Sequence, residues 1–81
     1  MQSRKPYTMF KFYNGKQIGS VWADCIDDQA ALEHARMHLR ASPANVLHLH
    51  RGPPFYPLGE RIAELKKYGP YDDIIESGEA A

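Results

Sequence analysis

The chain has 81 residues, ten basic and ten acidic side chains, four histidines and one cysteine, enough for one domain near the lower limit of an unstapled core. The lone Cys25 excludes an intrachain disulfide framework and suits a reducing compartment. The polar residues 1–5 do not match a signal peptide, and no stretch approaches the ~20 apolar residues of a membrane span, so a cytoplasmic protein without a membrane partner is expected.

The zero net charge is unevenly spread. Residues 1–23 carry Arg4, Lys5, Lys11 and Lys16 and no acid, whereas residues 24–50 and 51–81 each carry two more acids than bases. A mildly basic N-terminal segment on a neutral chain falls short of the footprint that nucleic acid requires, so nucleic acid is not an expected partner.

Tyr7 to Tyr13 is rich in β-formers, and Asn14-Gly15 is a strong hairpin signal because both turn positions take positive φ. A two-residue turn pairs Phe12 with Gln17, Phe10 with Gly19 and Thr8 with Val21 on one face. The other face then carries Lys11 with Ile18, Met9 with Ser20, and Tyr7 with Trp22. A three-residue loop with a bulge would instead bring Phe10 beside Ile18, and sequence leaves this register open.

A helix is expected from Asp27, which can cap free backbone N–H groups, with Asp28 placed near the positive end of the dipole. Ile26 and Ala31 have staple spacing. Ala31, Leu32, Ala35 and Leu39 form one apolar stripe, and Ser42-Pro43 ends the helix. Val46 to His50 reads as a third strand, with Leu47 and Leu49 toward the helix and Val46, His48 and His50 away from it. A right-handed crossover makes this strand parallel to the second, and a place beside the first gives sheet order 2-1-3.

Residues 52–57 form a stiff, proline-rich connector. Leu58, Ile62 and Leu65 predict a second helix from Leu58 to Tyr68, stopped by Gly69-Pro70, with Lys66 and Lys67 at its C-terminal end. Residues 70–81 read as an acidic tail with one helical turn around Asp72–Glu76. The expected architecture is therefore a single α+β domain over 1–81. It comprises a ββαβ core over 7–51 with a three-stranded sheet and one packed helix, a C-terminal helical extension over 58–76, and a flexible tail over 77–81.

Such a sheet leaves one face free, and on the two-residue register that face carries Tyr7, Met9, Ile18 and Trp22, joined by His48 and His50. Aromatic side chains bury on the order of 150–250 Å² each, so the patch reaches the few hundred Å² of an interaction site. The C-terminal segment covers it, a second copy or another protein does, or nucleic-acid bases stack on it. Phe55, Tyr56, Ile62, Leu65 and Tyr68, followed by Tyr71, Ile74 and Ile75, form a long apolar series that can dock on its own core or reach a partner groove.

The histidines are the one constellation with metal-site spacing: His34 and His38 at i, i+4, His48 and His50 at i, i+2. The two pairs fall on opposite sides of the sheet, and neither has an obvious third ligand, so no metal site is assigned. Cys25, just ahead of the helix, reads as a small buried hydrophobe rather than a dipole-activated thiol. No nucleophile motif or phosphate loop is present, since Gly15 and Gly19 have turn and sheet roles. Nor is there an RNA-recognition aromatic signature. Neither an enzyme nor a cofactor is expected. The expectation is a non-enzymatic protein-interaction module or homodimer; the alternatives are a histidine-based metal binder and a small inhibitor or adaptor of an enzyme or nucleic-acid complex.

Three stretches, Phe10-Lys11-Phe12-Tyr13-Asn14-Gly15, Asp27-Asp28-Gln29-Ala30-Ala31-Leu32 with Ala35, and Arg51-Gly52, carry a resemblance. Residues 8–51 resemble a group of short uncharacterised bacterial proteins, common in alphaproteobacteria, that run aromatic strand, Asp/Asn-Gly turn, strand, acidic start with alanine-rich helix, and a last strand ending in Arg-Gly or a similar pair. The resemblance implies the ββαβ fold and a bacterial origin and assigns no site. The segment after Gly52 departs from that pattern, since those relatives usually continue into another short strand.

Overall fold

The computed structural model describes residues 3–55, 57–68 and 73–78, those of 68 and 73–78 by their backbone alone. The elements run β1 (Lys5–Tyr13), β2 (Lys16–Cys25), α1 (Asp28–Arg40), β3 (Val46–Arg51), β4 (Arg61–Tyr68) and β5 (Asp73–Gly78). Strands β2, β1, β3 and β4 lie side by side in that order, each antiparallel to its neighbour, and β5 pairs outside β4. The fold is α+β, and the expected order 2-1-3 stands within the larger sheet, with β3 parallel to the more distant β2.

The β1–β2 turn has two residues, Asn14 at φ 50° and Gly15 at φ 84°, in the left-handed region that asparagine and glycine tolerate best. Asn45 steadies it, accepting from the Asn14 N–H at 3.2 Å and donating through Nδ2 to Asn14 Oδ1 at 3.1 Å. Phe12 pairs with Gln17 as the turn length predicts, but a bulge between Lys11 and Phe12 then shifts the register, so Lys11 meets Gly19 and Met9 meets Val21. Because side chains alternate with period two, one inserted residue exchanges the faces of everything beyond it. The extra residue, Ile18, belongs to β2, so it is Trp22 that changes sides and pairs with Thr8, while Tyr7 and Met9, expected beside it on the free face, face the helix and lie in the core.

Helix α1 starts as the sequence indicates: Asp27 is the N-cap and accepts from the Ala30 N–H at 2.8 Å. Its buried Ala31, Ala35 and Leu39 lie on Tyr7, Met9, Leu47, Leu49, Ala63 and Leu65 of the sheet. Lys67 reaches from β4 to the helix C-terminus and donates to the Leu39 and Ser42 carbonyls at 3.0 and 2.7 Å, where a cation suits free carbonyls and the dipole.

The predicted helix at Leu58–Tyr68 and the helical turn around Asp72–Glu76 are corrected: Arg61–Tyr68 is strand β4 and Asp73–Gly78 is strand β5. The stretch Ala63-Glu64-Leu65-Lys66-Lys67 is rich in helix formers, yet helix propensity amounts to only tenths of a kcal/mol per residue. The unpaired edge of β3 and the core beneath it offer a ladder and a place for Ala63 and Leu65, both buried. The connector turns back tightly, because a Cβ on Gly59 would fall 1.6 Å from the Arg51 carbonyl oxygen, a contact that only glycine allows. Of the expected flexible tail, Ser77 and Gly78 belong to β5, and residues 79–81 lie outside the described residues. No helix among the described residues is long and apolar enough to cross a membrane.

Candidate functional site

The sheet has two faces, and its only described helix covers one of them. Cross-strand partners share a face, so the register assigns the other face directly. It carries Thr8 between Trp22 and His50, Phe10 between Ser20 and His48, Phe12 between Gln17 and Val46, and Glu64 opposite His48. The rings contact one another diagonally: Phe10 stands edge-on to His50 at 5.2 Å between centroids, and Phe12 tilts against His48 at 4.7 Å. Edge-to-face and tilted arrangements of this kind add stabilisation beyond area burial. Trp22 on the edge strand is 55% exposed.

Polar partners fix the histidines. His48 Nε2 lies 2.8 Å from Glu64 Oε2, and His50 Nδ1 lies 2.9 Å from the Gly59 carbonyl oxygen. The hydrogen bond from His48 holds the Glu64 carboxyl below the usual carboxylate range. Thr8, opposite His50 and fully buried, donates to the Gly52 carbonyl at 2.7 Å. The face is thus a half-buried aromatic and imidazole floor, held in place from below and from its β3–β4 end, with an exposed indole on its margin.

The expected partner-binding residues divide. Trp22 and Phe55 are exposed, as is Ile18, at 44%, inside the bulge. Tyr7, Met9 and Leu65 are buried beneath α1, and Ile62 is partly buried against the same core. Tyr56 lies outside the described residues, and Tyr68 is placed in β4 by its backbone alone. Phe10 and Phe12, which the unbulged register put on the opposite face from Trp22, are its companions. The alternation Phe10–Phe12–His48–His50 was visible in the sequence; the one-residue bulge was not.

A second cluster had no sequence signal. At the start of α1, the Tyr7 hydroxyl donates to Asp28 Oδ1 at 2.7 Å, and Arg51 donates to both Asp28 oxygens and, at 2.7 Å, to Glu60. Burial, then the Asp28 hydrogen bond, pushes the Tyr7 phenol up to about 12. The Arg51 and Tyr7 hydrogen bonds hold the Asp28 carboxyl down. Tyr7, Asp28 and Arg51 line an open cleft of about 870 Å³ with Lys5, Pro6, Ile26, Asp27, Gln29 and Gly52. Their polar atoms are spent on one another, so the cluster ties β1, β3 and the helix start together. A phenol held in its protonated form is no base at neutral pH.

His34 and His38 stack at 6.1 Å along α1, away from the other pair. Among the described residues no group of three or more His, Cys, Asp and Glu side chains is placed to hold a metal ion. Cys25 is buried, and burial pushes its thiol up, opposite to the shift an activated nucleophile needs. Compared with known proteins, the chain matches no family model, no curated protein and no solved structure.

Proposed function

We propose that this chain is a non-enzymatic protein-interaction module that takes a protein, or a second copy of itself, on the open face of its sheet around Trp22. The observation carrying the reading is the arrangement of that face: an exposed indole beside a row of half-buried rings, opposite the helix-covered side. Protein interfaces concentrate their energy in aromatic anchors with a polar surround, and Ser20, Gln17, Glu64 and Lys66 supply that surround. On the same face Asp24 and Glu64 balance Arg61 and Lys66, which favours a protein over a phosphate backbone needing net positive charge. A bacterial, cytoplasmic setting belongs to the proposal and rests on composition and the resemblance alone.

Replacing Trp22 with Ser tests it. The variant should keep the folded far-UV spectrum and lose at least about tenfold in affinity for its partner or its own copy, the minimum expected of an aromatic hot spot. Unchanged association by a folded Trp22→Ser chain would remove the open face from the function.

A further inference from the structure

Strand β2 is the described margin of the sheet, and its register shows which backbone groups face outward. Pro6 stands opposite Asp24, and the Pro6 carbonyl accepts from the Gly52 N–H on the β3 side at 2.8 Å. The Phe12 carbonyl likewise accepts from Asn45 on that side at 2.9 Å. In an antiparallel ladder a residue's N–H and C=O point to the same neighbour, and alternate residues point to opposite neighbours. Pro6, Thr8 and Phe10 therefore bond toward β3, and their partners Asp24, Trp22 and Ser20 point their backbone groups outward from the sheet. The Arg4 guanidinium resting on the Asp24 carbonyl at 3.3 Å agrees with that direction. A regular edge segment of this kind is a template for another strand.

The side chains along this edge are self-complementary. Between the bulge at Ile18 and the strand end at Cys25, the residues that share the open face are Ser20, Trp22 and Asp24. Reversed and laid against itself with Trp22 facing Trp22, the segment sets the Ser20 hydroxyl against the Asp24 carboxylate, with Ile18 and Ile26 just beyond the two ends of the pairing. Trp22, Ile18 and Ile26, the last 41% exposed, are the large apolar side chains exposed along this stretch. Sliding the pairing by two residues toward the turn separates the two indoles and draws the Ile18 bulge closer to the ladder.

We propose that two copies of the chain pair edge to edge through antiparallel β2 strands, with Trp22 on the two-fold axis. In that register every outward N–H of Ser20, Trp22 and Asp24 meets an outward C=O of the other copy, and the bulge stays outside the ladder. The contact is isologous, as a two-fold axis requires. It joins the two open faces into one surface and deepens the interaction reading by naming its partner.

Cysteine pairs test the register. Ser20→Cys and Asp24→Cys chains, each in a Cys25→Ala background, are oxidised separately and as an equimolar mixture. Directly opposed residues in a hydrogen-bonded pair have Cα atoms about 5.5 Å apart, within disulfide reach. Two copies of either cysteine would lie about four strand positions apart, roughly 13 Å, and out of reach. The mixture should form disulfide dimers, and neither variant alone should. A Ser20→Pro chain adds an independent reading. That N–H points outward, so the internal ladder keeps its bonds while the dimer dissociation constant rises at least about a hundredfold. A wild-type dimer that survives Ser20→Pro and gives no mixture-specific cross-link overturns the edge pairing and leaves the open-face reading intact. A wild-type chain monomeric by light scattering up to about 1 mM also overturns it. The open-face reading itself fails only if Trp22→Ser changes no association.

Discussion

The two faces of the sheet are built from the same strands by alternate residues, yet they solve different problems. On the helix side Met9, Leu47, Leu49 and Leu65 are fully buried, and alanines at 31, 35 and 63 let the helix lie close. On the other side Phe10, Phe12, His48 and His50 keep part of their surface in water, with two ring contacts and polar partners fixing their orientation. The first face spends its apolar surface on folding; the second holds some in reserve. A small domain can support both only if the first suffices for stability, and that sets the order of the expected effects.

The largest effect should come from the covered face. Met9→Ala or Leu49→Ala should lose about 2–5 kcal/mol, the range for large-to-alanine changes in a packed core, whereas Trp22→Ser should stay within about 0.5 kcal/mol in dilute solution, as an exposed site does. Urea unfolding of the three variants checks this, and comparable losses would collapse the distinction. Next, Asp28→Ala leaves the buried Tyr7 hydroxyl without its acceptor, and the same titration should show about 1–3 kcal/mol lost. Tyr7→Phe, which removes the donor and leaves Asp28 its bonds from Arg51, should lose less.

The pH dependence sharpens the contrast. The Tyr7 phenol is raised from 10.0 to about 12 in the fold, so the native state keeps a proton that the unfolded chain releases. Its stabilisation is full below pH ~10 and is lost as pH rises through ~12. Spectrophotometric titration should show a late phenolate that is absent from Tyr7→Phe. The smallest effects lie on the acid side. Burial, then its His34 and Lys11 neighbours, pushes the His38 imidazole down, and the His48 hydrogen bond pulls the Glu64 carboxyl down. Both contributions are present above the groups' unfolded values and fade as pH falls, His38 first and Glu64 through the carboxylate range. Glu64→Gln should flatten the lower part of an acid-unfolding profile and leave the upper part unchanged.

The parts legible in the sequence are those where a local signal has a local cause. Asn14-Gly15 needs positive φ, Asp27 has a free N–H to accept from, and Ser42-Pro43 cannot continue a helix. The alternation of Leu47 and Leu49 against His48 and His50 needs only the period of a strand. The bulge at Ile18 carries no comparable mark, and it parts Trp22 from Tyr7 and Met9, setting them on opposite faces. The segment Arg61–Tyr68 misleads for a different reason: its composition favours a helix, while a free strand edge more than ten residues earlier decides the outcome. The Tyr7–Asp28–Arg51–Glu60 cluster gathers residues from four places in the chain, and no spacing announces it.

Trp22 is the only tryptophan in the chain, so its fluorescence reports the open face without ambiguity. The most direct test of the account is acrylamide quenching of Trp22 at a concentration where light scattering shows a monomer, repeated as concentration rises. The indole should be freely quenched in the monomer and protected as copies associate. An indole already protected in the monomer would mean that the chain covers this face itself, and would contradict the account.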